Sequence, residues 1–236
     1  MKAVVFGGSR GIGAAIATRL ARDGFDIALT YVSRPEAAAD VVAQIEGLGR
    51  RALAIQADSA DPVAIRSAVS EAVGQLGMLD VAVVNAGILR MAPLAEVTPE
   101  DLDLMLAVNV RGVYLAIQAA AASMRDGGRI VTIGSNTAVR AGKGSSVYAM
   151  TKAAVASMVQ GIALDLAPRA ITVNNLQPGP TETDMTASMV EKLRGVVPMG
   201  RVGQPREIAG LVSFLVGPDG GYATGASFTL DGGFVL

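Results

Sequence analysis

Val4-Val5-Phe6-Gly7-Gly8-Ser9-Arg10-Gly11-Ile12-Gly13-Ala14-Ala15 is the stretch on which the fold turns. A short apolar run, residues 3–6, breaks into glycines and passes at once into an alanine-rich segment with helical spacing. Such a junction lets a backbone turn tightly and approach a pyrophosphate, whose charge the helix N-terminus stabilises. The spacing here is Gly-x-x-x-Gly-x-Gly, not the Gly-x-Gly-x-x-Gly of the standard dinucleotide fingerprint. The same residues, Gly7-Gly8-Ser9-Arg10-Gly11, also match the Gly-x-Ser-x-Gly elbow of serine hydrolases. That elbow needs a histidine to take the serine proton, and the chain of 236 residues has none.

Outward from this turn, short β-branched runs alternate with longer amphipathic ones. Strands are predicted at residues 3–6, 26–31, 52–56, 81–84, 129–133, 172–175 and 227–230, and helices at 13–22, 35–47, 62–76, 147–166 and 205–216 among others. Strands apolar on both faces and separated by helices predict a mostly parallel, seven-stranded sheet covered on each side, a doubly wound Rossmann-type α/β/α sandwich. No linker or repeat divides residues 1–236, so a single dinucleotide-binding and catalytic domain is expected. Residues 177–203 are rich in Pro, Gly, Thr and Met. They read either as a flap over a site, around 178–203, or as an ordinary surface excursion.

Composition narrows the chemistry. Hydrophobic residues make up 51% of the chain, yet no uninterrupted apolar run approaches the ~20 residues of a membrane span. A cytoplasmic protein without membrane attachment is expected. The net charge of −1, without a basic block, gives no electrostatic footprint for nucleic acid. Absence of cysteine and histidine excludes thiol catalysis, His-based triads and the usual transition-metal ligands, and no metal site is expected. Tyr, Lys, Ser, Asn and carboxylates remain, which suggests chemistry done with a borrowed cofactor.

The end of the second strand bears on which dinucleotide. An NAD site places a carboxylate there for the ribose hydroxyls, whereas this strand ends Thr30-Tyr31-Val32-Ser33-Arg34. Arg34, with Ser33 beside it and Arg10 in the turn, suits a 2′-phosphate, and NADP(H) is expected over NAD(H). Tyr148 and Lys152 lie four apart in a predicted helix and share one face. A neighbouring ammonium is expected to lower the phenol pKa and fit the tyrosine for proton transfer. Ser135 closes the strand at 129–133, at the sheet edge where open α/β folds bind ligands, and can donate to a developing oxyanion.

Together these residues resemble the short-chain dehydrogenase/reductases over essentially the whole chain. Gly7, Ser9, Arg10, Gly11, Ile12 and Gly13 are similar to that family's cofactor turn, with Phe6 in place of the usual threonine. Val84-Asn85-Ala86-Gly87 resembles its Asn-Asn-Ala-Gly motif, with Val84 in place of the first asparagine; both departures are expected to loosen a structural hydrogen bond. The resemblance implies that Asp58, followed by Ser59, contacts the adenine amino group, and that Asn109 supports a water and proton relay. It implies Ser135, Tyr148 and Lys152 as the catalytic set, with Tyr148 and Lys152 also lying against the cofactor. Pro178, Gly179, Thr181 and Thr183 resemble the segment that holds the nicotinamide, and Asp231-Gly232-Gly233 is also characteristic.

The implied activity is NADP(H)-dependent reduction of a ketone or a 3-oxoacyl carbonyl to the alcohol, or the reverse. Leu89, Arg90, Met91, Asn136, Thr137, Arg140, Met185 and Met189 are expected near the substrate. An acidic carrier protein needs a basic docking patch; Arg125, Arg129 and Arg169 are candidates, interrupted by Asp126. Residues 147–166 are apolar around most of the helix, which fits either burial within one subunit or, with the resemblance, a homotetramer or homodimer. The alternative to an enzyme is a nucleotide-binding regulator that keeps the fold with little turnover.

Overall fold

Runs of apolar residues with no polar face need cover on both sides, and the chain supplies it by alternating strand and helix. The computed structural model describes residues 1–184 and 186–236; Met185 lies outside the described residues. In chain order the elements are β1 (Lys2–Phe6), α1 (Gly11–Arg22), β2 (Asp26–Tyr31), α2 (Pro35–Glu46), β3 (Ala52–Gln56), α3 (Pro62–Leu76), β4 (Leu79–Val84), α4 (Pro99–Leu106), α5 (Val113–Ala122), β5 (Met124–Ile133), α6 (Ser146–Leu166), β6 (Thr172–Pro178), α7 (Val190–Arg194), α8 (Pro205–Val216) and β7 (Ser227–Leu230). The strands form one sheet in the order β3-β2-β1-β4-β5-β6-β7, parallel throughout. Strand order reverses between β1 and β4, and there the carboxyl ends of the strands open the crevice in which such folds take ligands.

Period-two alternation feeds two cores. Val4, Phe6, Ala82 and Val84 pack on one face with residues of α3, α5 and α6, among them Ile65, Ile117 and Val159. Ala3, Val5, Val81 and Val83 pack on the other with α1, α2 and α8, among them Ile16, Ile45 and Val212. Two helical runs, Pro99–Ala122 and Ser146–Arg169, are long and apolar enough to cross a bilayer by length and composition. Each supplies part of the sandwich instead: Val113, Ile117, Val155 and Val159 are buried against the sheet.

Most predicted elements match within a residue or two; two differences, in β5 and β6, have local causes. β5 begins at Met124 rather than near 129, because the chain bulges through Gly127 and Gly128 before its register with β4 resumes at Val81↔Arg129. β6 continues to Pro178, beyond its pairing with β5, because β7 pairs alongside it as far as Pro178↔Leu230 and Gly179 N–H donates to the Leu230 carbonyl. The excursion after β6 is tied at its base, where Glu182 N–H donates to the Gly203 carbonyl and Gly203 N–H to that of Pro180, at 2.9 and 2.8 Å. A π-helical turn, Ala107–Gly112, separates α4 from α5. Its Gly112 lies so close to the Ser59 carbonyl that a side chain there would collide with it.

Candidate active site

The glycine turn is built for contact with backbone. Gly7 and Gly11 hold φ of +71° and +53°, where a side chain is strained. A Cβ on Gly13 would collide with the Gly7 carbonyl oxygen and stand 2.6 Å from Asn85 Nδ2. The turn is pinned from both neighbouring strands. Gly7 N–H donates to Thr30 Oγ1 at 3.0 Å, Gly8 N–H to the Thr30 carbonyl at 2.9 Å, and Asn85 Nδ2 to the Gly7 carbonyl at 2.8 Å. Asn85 therefore supports the turn, and Ala86 packs against Gly7. No side chain caps α1, which leaves its amino end to an incoming anion. Ser9 is half-buried in the turn, and Ile12 packs partly into the core beneath it.

Beside the turn, Ser33 and Arg34 are exposed at the end of β2, and Arg34 adopts a left-handed conformation, φ 64°, as it caps α2. Both Arg10 and Arg34 reach one carboxylate, Asp184, at 3.6 and 3.2 Å. Thr183, its neighbour, places a methyl group 3.3 Å from where a Gly11 Cβ would be. Asp58 follows β3, and its Oδ1 accepts from Ala60 N–H at 2.8 Å; Ser59 is buried. A turn of glycines, an uncapped helix end and two guanidinium groups suit a dinucleotide that carries a 2′-phosphate.

The four residues of the reactive set converge at the carboxyl ends of β4 and β5. Ser135 terminates β5 and accepts from Thr137 Oγ1 at 2.9 Å. Tyr148 stands in the first turn of α6; the nearby Ser135 hydroxyl lowers the phenol pKa, but burial raises it more, so the net direction is upward. The expected lowering by Lys152 is not what the structure shows. Lys152 is buried, donates from Nζ to the Ile133 carbonyl at 3.0 Å, and stands 5.6 Å from the centre of the Tyr148 ring. Its own pKa is pulled down to about 8 by desolvation, so a bare ammonium is poorly held there.

Asn109 sits at the π-turn with its amide committed. Nδ2 donates to the Ile88 carbonyl at 2.8 Å and to Thr151 Oγ1 at 3.3 Å, while Oδ1 accepts from Ile88 N–H at 2.9 Å. Thr151 Oγ1 donates in turn to the Tyr148 carbonyl at 2.7 Å. Gly87 lies between Asn109 and Lys152; a Cβ would be 3.3 Å from Asn109 Oδ1 and 3.4 Å from Lys152 Nζ. Thr30, Ile88 and Thr151 were not picked out from the sequence, because a threonine hydroxyl or a backbone pair has no motif of its own.

A family model described as enoyl-(acyl carrier protein) reductase matches residues 7–235. The chain belongs to the short-chain dehydrogenase/reductase family. A short chain dehydrogenase from Burkholderia cenocepacia J2315, solved in complex with NADP, is 50% identical with a TM-score of 0.97 and covers 99% of this chain and 97% of its own. The cyclic-di-GMP-binding biofilm dispersal mediator protein of Escherichia coli (strain K12) is 41% identical over 98% of this chain and 95% of its own length. A 3-oxoacyl-[acyl-carrier-protein] reductase of Staphylococcus aureus (strain Mu50) is 36% identical over 99% and 98%.

Within this dehydrogenase/reductase, the departures Phe6 and Val84 prove to be one feature. They are cross-strand partners in β1 and β4, both buried in the same core, so two apolar side chains meet where the family pattern has two polar ones. The sheet closes normally beside them, with Asn85 N–H donating to the Phe6 carbonyl at 3.2 Å. Between the two side chains, apolar contact stands where the resemblance implies a hydrogen bond.

Several residues expected near the substrate have partners within the chain. Asn136 is buried and donates to Asp231 at 3.3 Å, and Arg140 donates to the Phe234 carbonyl at 3.1 Å; both hold the C-terminal segment. Asp231 also receives Gly233 N–H at 2.9 Å and packs against Gly179, so the Asp-Gly-Gly motif braces the end of β6. Thr181 is buried, its hydroxyl donating to the Gly179 carbonyl at 2.9 Å. Arg90 pairs with Asp101 at 3.7 Å, Leu89 is half-buried, and Met91 and Met189 are exposed.

The three arginines of the candidate carrier patch each have local partners. Arg169 donates to the Ala121 and Met124 carbonyls and to Asp126, Arg129 to the Gly127 and Gly128 carbonyls, and Arg125 pairs with Asp80. Arg125 and Arg129 lie toward the amino end of β5, opposite the Ser135 end. From Arg129 to Ser135 the strand rise alone amounts to roughly 20 Å.

Proposed function

We propose that this protein is an NADP(H)-dependent carbonyl reductase or alcohol dehydrogenase acting through Ser135, Tyr148, Lys152 and Asn109. The observation that carries the reading is the convergence of Ser135, Tyr148 and buried Lys152 in a fold whose glycine turn is flanked by Arg10 and Arg34. Gly7–Gly13 and the amino end of α1 receive the pyrophosphate, Arg10 and Arg34 the 2′-phosphate, and Asp58 the adenine. Pro178, Gly179 and Thr183 border the nicotinamide end. When bound, the cofactor supplies or accepts the hydride at the substrate carbon.

Tyr148 gives its proton to the carbonyl oxygen as negative charge builds on it. A phenol held protonated by burial is in the right state to act as that acid. Ser135 donates to the same oxygen and steadies the developing charge. With its pKa near 8, Lys152 is mostly protonated at pH 7 despite burial, and a polar or anionic partner entering beside it steadies that charge. The ammonium in turn eases proton release from Tyr148. The Asn109 amide is already spent on Ile88, so its contribution to a water relay comes through the backbone of the π-turn, where the helical hydrogen-bond ladder is interrupted.

The substrate class that fits is a hydrophobic ketone admitted beneath the segment around 178–203. A 3-oxoacyl carbonyl is the other substrate class, supported by the likeness to the 3-oxoacyl-[acyl-carrier-protein] reductase. The exposed outer side of α6, including Met150 and Leu164, supports a homotetramer or homodimer built on that helix. Titration with NADPH and NADH, followed by a panel of ketones and 3-oxoacyl thioesters, tests the reading. Tyr148→Phe is expected to abolish turnover while leaving NADPH affinity within about threefold; near-normal turnover would overturn the proton-donor assignment.

A second reading is favoured by one observation. The relative from Escherichia coli is named for binding cyclic-di-GMP, and a regulator of that kind keeps the fold without depending on turnover. NADPH binding without oxidation across the panel, together with competition by cyclic-di-GMP, would support it.

A further inference from the structure

Among the described residues, Asp184 is the acidic residue paired with the two guanidinium groups beside the glycine turn. It comes from the segment after β6, 150 positions from Arg34 in sequence, and its Oδ2 lies 3.2 Å from Arg34 and 3.6 Å from Arg10. All three side chains are more than half exposed, so a diffusing anion can reach the pair. β2 itself ends without an acid, at Val32-Ser33-Arg34, so the carboxylate here is supplied across the groove by another element. Thr183, immediately before it, lies over Gly11 in the turn.

We propose that Asp184 occupies the seat of the cofactor's 2′-phosphate while the cofactor is absent, and that carboxylate and phosphate exchange on Arg10 and Arg34. The proposal rests on the NADP(H) reading above. One carboxylate and a dianionic phosphate cannot both sit on the same two guanidinium groups without mutual repulsion. The phosphate, with more charge and three acceptor oxygens, displaces the carboxylate. Because Asp184 adjoins Thr183, its release frees the residue next to the nicotinamide end at the moment the adenosine end is captured. A dinucleotide without a 2′-phosphate leaves Asp184 in place. Asp184 thus sets the selectivity between the two cofactors by competing for the phosphate site, and it links the two ends of the groove.

The test is equilibrium binding of NADPH, NADH and adenosine 2′,5′-bisphosphate to the native protein, Asp184→Asn, Arg34→Gln and the double variant, at low and high salt. Removing the competitor is expected to tighten NADPH and the bisphosphate by roughly three- to tenfold at low salt, the ceiling set by two exposed pairs that share one carboxylate. NADH affinity is expected to stay unchanged, and the gain to disappear in the Arg34→Gln background. Unchanged or weaker NADPH binding by Asp184→Asn overturns the exchange. Selective loss of NADH affinity also overturns it, since the carboxylate would then be a ribose ligand. Native protein that binds NADPH no better than NADH overturns the dinucleotide reading itself. Native preference with an unresponsive Asp184→Asn overturns only the exchange.

Discussion

Replacing Lys152 by methionine keeps side-chain length and removes a charge from a site that disfavours it. The folded-state pKa of Lys152 is lowered to about 8 from 10.5 by burial. Between those values the unfolded chain holds a proton that the folded chain has released, so native stability rises with pH by about 1.36 kcal/mol per unit. Below pH 7 both states are protonated and the folded protein carries the full cost of a buried ammonium. Methionine has no such dependence. The lost hydrogen bond to the Ile133 carbonyl offsets the two proteins by an amount that does not vary with pH.

The difference in unfolding free energy, native minus Lys152→Met, is therefore expected to climb by roughly 2.5 kcal/mol between pH 7 and pH 10. Urea unfolding of both proteins without cofactor, at each pH unit, measures it. Tyr148 and the remaining groups are common to both proteins and drop out of the difference to first order. A flat difference across this range would refute the reasoning, because Lys152 would then be no worse solvated in the fold than in the unfolded chain.

Gly13→Ala drives a methyl group into the Gly7 carbonyl and Asn85, so stability should fall by about 1–3 kcal/mol with loss of dinucleotide binding; unfolding and titration check both. Phe6→Thr is expected to cost about 3 kcal/mol and Val84→Asn about 2 kcal/mol, since one leaves a cavity and the other buries an unpaired amide. Introduced together as cross-strand partners, they should cost at least 1 kcal/mol less than the sum, read from a double-mutant cycle. Leu164→Glu on the exposed side of α6 is expected to lower the assembly state without unfolding the subunit, which light scattering with circular dichroism would show.

Local pattern alone was enough for much of this protein. Apolar runs bounded by glycine and proline located every strand to within a few residues, because a parallel strand buried on both faces has a composition no loop shares. Where glycines fell inside a strand, as at Gly127 and Gly128, the same signal failed and β5 was read short. Tyr148 and Lys152 share a helix face by spacing, and Gly7–Gly13 marks a strand-to-helix turn by composition, so the candidate site was visible as parts. What tertiary structure decided was which parts meet and at what solvation. Asp184 reaches Arg34 across 150 positions, Asn136 and Arg140 turn to the C-terminal segment rather than the groove, and Phe6 and Val84 compensate each other through pairing of β1 with β4. The direction of the Tyr148 and Lys152 pKa shifts belongs with these. Spacing says that an ammonium lies near a phenol, but only the packed structure says how much water each has lost, and here desolvation sets the direction of both shifts.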